Sequence, residues 1–318
     1  MEPAPIIVFA YNRPDCLRRV LDSLALNEEA GSSTLYIFSD GPAQNASEEE
    51  KNDILEVRKV IREKNWCGKV IIRESAINKG LANAVISGVS EVISEHGKAI
   101  VLEDDLLVSS GFLSYMNEGL ERYKEEQSVM QISAHNFPSK GYEARASSGF
   151  FPMSTSWGWA TWKRAWDHFD EKAVGYQQLK EDESMRSRFN LDGTYPYSNM
   201  LFDQMETGKV NSWAIRWWWT VFKNKGLTLF PDKSLVMNIG FGEKATHTVG
   251  NNPIDETTFD REYKIKNFPV KVEIDRTGFD RLKAALKGNS RSSDFDSPVG
   301  GLAARIRRKL NSLLNSKK

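Results

Sequence analysis

Three consecutive carboxylic acids, Glu103, Asp104 and Asp105, end an apolar run in the segment VLEDDLLVSSGFL. Adjacent like charges repel one another, so such a run needs a counter-charge or a chemical role. Mg²⁺ or Mn²⁺ is typically held by one or two carboxylates together with substrate phosphates and water. Side-chain alternation along a strand predicts that Glu103 and Asp105 face one side and Asp104 the other. The alternative is a solvated acidic turn that caps the next helix.

The elements that must position these acids alternate between strands and helices over residues 5–103. The β-rich runs PIIVFA, TLYIFSD, KVIIRES and KAIVLED are separated by segments with helical periodicity, and Gly97 follows the last of these. Ser47 and Glu50 have the spacing of a helix capping box. This order predicts a mostly parallel sheet with helices on both faces. Ligands of such sheets bind beyond the carboxyl ends of the strands, where polar residues of this region collect.

The composition limits the classes of protein to which the chain can belong. Its 43 basic and 43 acidic side chains cancel, so no strong field favours binding to nucleic acid. Two cysteines are too few for a disulfide framework. The N-terminus lacks the form of a signal peptide, and no stretch approaches the roughly 20 apolar residues of a membrane span. We therefore expect a cytoplasmic location. No GxGxxG follows the first strand, which argues against a dehydrogenase.

Several short segments occur in an order that carries more information than any one of them. They are VFAYNRPDCL, FSDGP, NKGLANAV, VLEDDLLVSSGFL, SWGWATWKRAW and NIGFGEKATHT. In this order they resemble the GT-A glycosyltransferases, in particular the family 2-like bacterial sugar transferases and N-acetylglucosaminyltransferase I, over residues 5–250. The resemblance implies an α/β GT-A fold, Rossmann-like with a mostly parallel sheet and flanking helices. It divides one domain into a nucleotide-sugar-binding half (1–110) and an acceptor-binding and catalytic half (111–275), followed by a linker and basic tail (276–318).

The function implied by this resemblance is metal-dependent transfer of a sugar from a nucleotide-sugar donor. The expected donor is UDP-linked, the cation is Mn²⁺ or Mg²⁺, and the acceptor is a glycan or lipid-linked glycan of a bacterial surface polysaccharide. Hexosyl and N-acetylhexosaminyl transfer are both open, and the expected stereochemistry is inverting. Two alternatives remain: a nucleotidyltransferase, which should carry a Gly-rich phosphate loop after the first strand, and a non-catalytic nucleotide-sugar- or glycan-binding protein.

The resemblance also gives individual residues expected roles. Donor binding is expected of strand-end residues and of the segment before the third helix, namely Ala10, Tyr11, Arg13, Asp40, Asn78, Lys79, Gly80, Glu103 and Asp104. Asp105 is the expected metal ligand, and His247 a second one on a loop that closes over the diphosphate. Alternatively, Asp40 forms an Asx turn, Asn78 caps a helix and His247 lies on an exposed loop.

Tryptophans mark the expected acceptor side. An indole beside polar groups suits the apolar faces and hydroxyls of a sugar, so Trp157 and Trp159 are the acceptor-binding candidates. Core packing is the better explanation for Trp162 and Trp166, which are spaced i, i+4. Core or interface burial is also favoured for the contiguous Trp217–Trp219.

The catalytic base is the point where the resemblance fails. Inverting transfer needs a carboxylate that deprotonates the acceptor hydroxyl. Relatives often have an acid pair before a helix-start tryptophan, but KVNSWAIRWWW has Asn211 and Ser212 there, and neither is a base at pH 7. Asp203 is the nearest alternative, and it could equally be a solvent-facing helix residue.

The last eighteen residues, 301–318, carry six Lys or Arg and no acid, with leucines at helical spacing. Such a segment could lie on an anionic membrane surface. This would make the protein peripheral at the inner face of the membrane, close to a lipid-linked acceptor. The alternative is a frayed, solvated tail.

Overall fold

The computed structural model describes residues 2–137, 148–240, 259–265 and 267–289, and its first elements alternate between strands and helices as predicted. In chain order they are β1 (Ile6–Ala10), α1 (Pro14–Ala25), a 3₁₀ turn (Glu28–Ser32), β2 (Thr34–Ser39), α2 (Glu48–Ile61), β3 (Lys69–Glu74), α3 (Leu81–His96) and β4 (Lys98–Glu103). Pro14 is the first residue of α1. A backbone N–H at this position would have no hydrogen-bond partner within the helix, so proline, which lacks it, fits there. Gly97 ends α3 with a left-handed backbone, φ 76°.

A shorter and less regular set of elements follows. They are β5 (Leu106–Val108), α4 (Phe112–Arg122), β6 (Val129–Ser133), β7 (Gly149–Phe151), β8 (Trp159–Trp162), α5 (Lys163–Trp166), α6 (Gln178–Glu181), α7 (Glu183–Phe189), α8 (Tyr197–Phe202), a π-helical turn (Asp203–Thr207), α9 (Trp213–Lys223), β9 (Leu227–Phe230), β10 (Val236–Asn238) and α10 (Arg276–Asn289). None of the described helices has both the length and the apolarity that a membrane span requires.

One eight-stranded sheet joins both halves of the chain, in the order β3-β2-β1-β4-β8-β6-β9-β7. The first four strands are parallel, as the alternation predicts, and β8 is antiparallel to both of its neighbours. The carboxyl ends of the parallel strands lie in register at one edge, where Ala10 pairs with Ser39, Ser39 with Glu74 and Phe9 with Glu103. The predicted α/β class, with a large and mostly parallel central sheet flanked by helices, is confirmed.

Helices cover both faces of this sheet, as alternate side chains of β1 show. Ile6 and Val8 belong to an apolar cluster that includes α1, α2 and α4, whereas Ile7 and Phe9 belong to another that includes α3 and α9. The core interpretation of the aromatic residues is confirmed: the side chains with at most 5% exposure include Trp162, Trp166, Trp217, Trp218 and Trp219.

The expected linker at 276–318 does not begin where the sequence indicated. Residues 276–289 form α10, and Leu282 and Leu286 on this helix are 4% and 3% exposed. Phe279 packs against Phe151 of β7 at 5.9 Å between ring centroids. Three apolar residues spaced i, i+3, i+7 thus form one stripe that the sheet buries. The basic tail at 301–318 lies outside the described residues.

The predicted capping box at the start of α2 is only half formed. Ser47 Oγ accepts a hydrogen bond from the Glu50 backbone N–H at 3.1 Å. The Glu50 carboxylate does not complete the box and instead accepts a hydrogen bond from the Tyr11 hydroxyl at 2.6 Å. The first turn of α2 is therefore tied to the end of β1.

We expect Ser47→Ala to lower the free energy of unfolding by about 1 kcal/mol, because the Glu50 N–H loses its cap. Urea denaturation of the variant and of the wild type measures the difference. Ser32→Ala is the control, since that hydroxyl bonds only a nearby carbonyl and should change stability by less than about 0.5 kcal/mol. Equal losses in the two variants would contradict the capping role.

Candidate active site

A cavity of about 850 Å³ lies at the carboxyl-end edge of the parallel strands. All nine expected donor-binding residues line it: Ala10, Tyr11, Arg13, Asp40, Asn78, Lys79, Gly80, Glu103 and Asp104. Asp105 and Trp157 also line it, together with Asn211 and Ser212. The register of the parallel strands explains this convergence, since their ends meet at one edge.

The acidic triplet is enclosed by hydrogen bonds from the end of β1 and the start of α1. Asp104 Oδ2 accepts a hydrogen bond from the Tyr11 backbone N–H at 3.0 Å. Asp105 Oδ2 pairs with Arg13 Nη1 at 3.0 Å, and both side chains are nearly buried. Asp105 Oδ1 is buried and has no hydrogen-bond partner among the described residues. Because Asp105 is only 8% exposed, the alternative of a solvated acidic turn is wrong.

The predicted alternation of the three acids does not extend through the triplet. β4 ends at Glu103, and Asp104 and Asp105 form a turn before β5. Side chains alternate only while the backbone stays extended, so the strand rule assigns no side to Asp105. The triplet does not cap the next helix either, since Gly111 occupies the N-cap of α4.

Burial raises the pKa of Glu103 and of Asp104, and the neighbouring carboxylates raise both further. Burial also raises the pKa of Asp105, and Arg13 opposes that change. One guanidinium therefore balances only part of the negative charge that three ionised acids would carry. The arrangement favours a further positive charge at the triplet.

The residues after β10 close one side of the triplet. β10 is antiparallel to β5, with Asn238 opposite Leu106. The Ile239 backbone N–H donates to the Asp105 carbonyl at 2.8 Å, and the Gly240 N–H donates to Asn238 Oδ1 at 2.7 Å. A Cβ atom on Gly240 would lie 2.5 Å from Arg13 Nη1, so glycine is needed for this close approach. The segment NIGFGEKATHT thus begins at the triplet, and His247 lies outside the described residues.

The described residues contain no group of three or more histidine, cysteine, aspartate or glutamate side chains that could hold a metal ion by themselves. The described residues instead fit a cation that takes only part of its ligands from the protein. Asp105 lines the cavity, and its buried Oδ1 is a hard oxygen donor without a hydrogen-bond partner among the described residues. Mg²⁺ bound with a nucleotide usually takes one or two carboxylates and completes its shell with phosphate oxygens and water. Asp105 fits a cation that shares its shell with a diphosphate.

Asp40 holds the loop before α3 in place. Its carboxylate accepts hydrogen bonds from the backbone N–H groups of Lys79, at 2.9 Å, and Gly80, at 3.0 Å. It also accepts one from the adjacent Gly41 N–H at 3.0 Å. The Asx-turn alternative for Asp40 is wrong, because that turn needs the N–H of the second residue along, which is Pro42. The helix-cap alternative for Asn78 is wrong because the N-cap of α3 is Gly80, with φ 77°. Lys79 is exposed at the cavity and forms no ion pair with any described residue.

Tyr11 contributes a protonated phenol to the cavity wall. Burial, and then the hydrogen bond and charge of Glu50, raise the pKa of Tyr11 to about 12. Glu50 supports the site through this bond, a role that its sequence pattern did not predict. Its signal was present in the capping-box spacing, but it was interpreted as local to α2.

Only one of the two expected acceptor tryptophans faces the cavity. Trp157 is half-buried and lines it, whereas Trp159 is 1% exposed and stacks on Trp213 at 5.0 Å. The expectation for Trp159 is therefore wrong. Gly158 between them has φ 62°, and this left-handed backbone turns the chain so that the two indoles lie on different sides. A Cβ atom there would lie 2.8 Å from Val236 Cγ1, so glycine is needed at this position.

The expected catalytic base, Asp203, does not line the cavity. It follows α8 and begins the π-helical turn, from which the chain reverses at Gly208, φ 63°, before it reaches the cavity at residue 210. Asn211 and Ser212 do line the cavity. Ser212 caps α9, and Asn211 Oδ1 accepts a hydrogen bond from the buried Arg216 at 3.3 Å. The expectation for Asp203 rested on closeness in sequence, which this reversal removes.

The sequence of residues 6–188 matches the model of glycosyl transferase family 2. The chain belongs to this family. Its α/β sheet and flanking helices are consistent with the GT-A fold. Three solved structures are similar at low identity. They are an active-site mutant of LgtC (13% identity, TM-score 0.35, covering 56% of this chain and 65% of that one), the galactosyltransferase LgtC in complex with donor and acceptor sugar analogues (12%, 0.34, 56% and 65%) and apo mouse xyloside xylosyltransferase 1 (12%, 0.36, 69% and 80%). The family 2 chain thus spans about 65% of the length of LgtC.

His135 supports the cavity wall of this family 2 protein from behind. It is 2% exposed, and its ring lies 4.7 Å from that of Trp157. Burial lowers the pKa of His135 to about 3, so the imidazole is neutral in the folded protein. In the unfolded chain the same group titrates near pH 6.5.

We expect the free energy of unfolding to fall as the pH decreases from about 6.5 towards 3, because the unfolded chain gains a proton that folded His135 does not accept. The contribution of this residue approaches about 1.4 kcal/mol per pH unit below pH 6. Urea denaturation at several pH values compares the wild type with His135→Gln, which should show a shallower acid dependence. Exposed His168→Gln is the control, and parallel curves for all three proteins would contradict the role of His135.

Proposed function

We propose that this chain is a divalent-cation-dependent glycosyltransferase that moves a sugar from a nucleotide-sugar donor to a hydroxyl group of a glycan or lipid-linked glycan. A UDP-linked donor is favoured, and transfer is inverting. The observation that carries the proposal is the buried carboxylate of Asp105, which has an unpartnered Oδ1 at the wall of a cavity suited to a nucleotide sugar. Membership of glycosyl transferase family 2 supports the same reaction class.

The donor would bind along the strand ends. Tyr11 offers an aromatic ring with a protonated hydroxyl, and Asp40 fixes the loop that brings Lys79 to the cavity. The exposed ammonium of Lys79 and the guanidinium of Arg13 both suit a diphosphate. Glu103 and Asp104 line the same region and would help to hold the ribose or the cation shell.

Asp105 would hold the cation, with Glu103 and Asp104 supporting it and His247 as a further candidate ligand. When bound, Mn²⁺ or Mg²⁺ neutralises charge on the departing nucleoside diphosphate. The chain's own residues orient the donor: the Tyr11 N–H fixes Asp104, and Arg13 fixes one oxygen of Asp105. Burial at this position keeps water from competing for the carboxylates.

The acceptor would enter on the side of Trp157, whose indole suits the apolar face of a sugar. The carboxylates that line the cavity outside the triplet are all engaged within the described residues. Asp40 binds backbone N–H groups, Glu74 pairs with Arg62, and Glu91 pairs with Arg73. A general base is therefore not assigned to any of them. This observation favours a second candidate function, a nucleotide-sugar-binding protein without transfer activity.

Further features of the proposal follow from the sequence resemblance. They are synthesis of a bacterial surface polysaccharide, kinship with N-acetylglucosaminyltransferase I, a cytoplasmic location with peripheral membrane contact through the basic tail, and a donor half at 1–110 beside an acceptor half at 111–275. A choice between hexosyl and N-acetylhexosaminyl donors is left to experiment. UDP-glucose pyrophosphorylase in complex with UDP-glucose is another structure similar to this chain, at 13% identity with a TM-score of 0.26, and a nucleotidyltransferase stays the third alternative.

The test is a thermal-stability screen with UDP-, GDP- and dTDP-sugars, each with Mn²⁺ and with EDTA. A ligand at 100 times its Kd stabilises the folded protein by about 2.7 kcal/mol, so a selective response is readily detected. We expect UDP-sugars to stabilise only with Mn²⁺. Release of nucleoside diphosphate from the same donor then separates a transferase from a binding protein. Equal responses to all nucleotides that persist in EDTA would overturn the proposal.

Asp105→Asn is expected to remove most of the Mn²⁺-dependent stabilisation, from about 2.7 kcal/mol to less than about 1 kcal/mol, because a neutral amide is a poor ligand for a hard cation. The measurement is the shift in thermal unfolding with a fixed UDP-sugar concentration. Asp203→Asn is the matched control, since it makes the same change outside the cavity and should leave the shift intact. The proposal fails if both variants keep the wild-type response.

A further inference from the structure

Arg13 is bound to the one carboxylate that the proposed function assigns to the cation. Its Nη1 atom lies 3.0 Å from Asp105 Oδ2, and the two side chains are 12% and 11% exposed. The other oxygen, Oδ1, is buried without a hydrogen-bond partner among the described residues. The two oxygens of one carboxylate are thus divided between a guanidinium and a position open to a second positive charge.

Charge balance limits how these two cations can share the triplet. Three ionised carboxylates and Arg13 leave two negative charges, which one divalent cation would neutralise. A guanidinium and a divalent cation on the same buried carboxylate repel each other strongly, because little water separates them. A diphosphate arriving with the cation offers the guanidinium oxygens that it can bind in a two-point arrangement. Arg13 lines the cavity and can turn to such a group.

Gly240 fixes the geometry of the Arg13–Asp105 pair. A Cβ atom at this position would lie 2.5 Å from Arg13 Nη1 and also against Asp105 Oδ2. The same Cβ atom would lie 2.9 Å from Asp105 Cβ, so an added methyl group would displace the Asp105 side chain as well as the guanidinium. The backbone of Gly240 is itself held by Asn238. The geometry of the Arg13–Asp105 pair therefore requires that residue 240, just after β10, has no side chain.

We propose that Arg13 restrains cation binding at Asp105 and exchanges Asp105 for the donor diphosphate when cation and donor bind together. This inference rests on the proposed function. It makes Arg13 a positioning residue with two opposite effects: it weakens binding of the cation alone and strengthens binding of the nucleotide once the cation is present. Cation and nucleotide binding become coupled. The diphosphate draws Arg13 away from Asp105, which favours the cation, and the cation at Asp105 releases Arg13, which favours the diphosphate.

The test compares wild type with Arg13→Gln in two titrations at constant pH. Mn²⁺ binding to the nucleotide-free proteins is followed by electron paramagnetic resonance, and we expect the variant to bind Mn²⁺ about tenfold more tightly because the opposing charge is gone. UDP binding at saturating Mn²⁺ is followed by calorimetry, and we expect it to weaken about tenfold because the diphosphate loses a guanidinium. A purely structural role of Arg13 would weaken both.

Two further variants keep the inference falsifiable if Arg13→Gln does not fold. Arg13→Lys retains the charge, and its Mn²⁺ affinity should stay within about twofold of the wild type. Arg13→Met removes the charge but keeps a long side chain, so Mn²⁺ should again bind about tenfold more tightly than in the wild type. Unchanged or weaker Mn²⁺ binding in the folded Arg13→Gln or Arg13→Met variant, with a wild type that binds Mn²⁺, overturns this inference alone. A wild type that binds no Mn²⁺ overturns the proposed cation dependence and this inference with it.

Discussion

The site depends on three neighbouring carboxylates, two half-buried and one buried, and on the pairing of the buried Asp105 with Arg13. The pairing of Phe9 with Glu103 brings the end of β4 beside the end of β1. The Tyr11 N–H then meets Asp104, and Arg13, at the start of α1, meets Asp105. A lone buried acid would neutralise by taking up a proton, but a cluster beside a cavity can instead be neutralised by a cation that brings its own ligands.

Local sequence patterns were sufficient for the first half of the fold because each of its parallel strands is joined to the next by a helix. Parallel strands joined by helices leave few arrangements, and the strand ends then converge by necessity. This is why the nine expected donor-binding residues all line one cavity. The second half was less predictable. β8 lies between β4 and β6 in the sheet as an antiparallel strand, and the sequence around β8 does not predict that position.

Individual errors trace to single backbone features or to partners distant in sequence. One glycine with positive φ sends Trp157 and Trp159 to different sides, although alternation and composition treat them alike. A chain reversal at Gly208 separates Asp203 from the cavity, while Asn211 reaches it. Glu50 bonds to Tyr11, thirty-nine positions away, and no rule of helix capping contains that partner. In each case the residue type suits the expected role, but a backbone turn or a tertiary contact that local patterns do not contain determines whether the residue reaches the cavity.

The hydrogen bonds that Asp40 makes to the main chain bear on any effort to change ligand preference at the proposed donor site. Its carboxylate is already committed to the main chain at Lys79 and Gly80. Exchanging Asp40 to alter base preference would also release the loop that carries Lys79, so recognition and loop architecture would change together. Asn211 is committed as well, because its Oδ1 accepts a hydrogen bond from the buried Arg216. Lys79 itself is the better starting point for altered specificity, since its side chain is exposed at the cavity and forms no ion pair with a described residue.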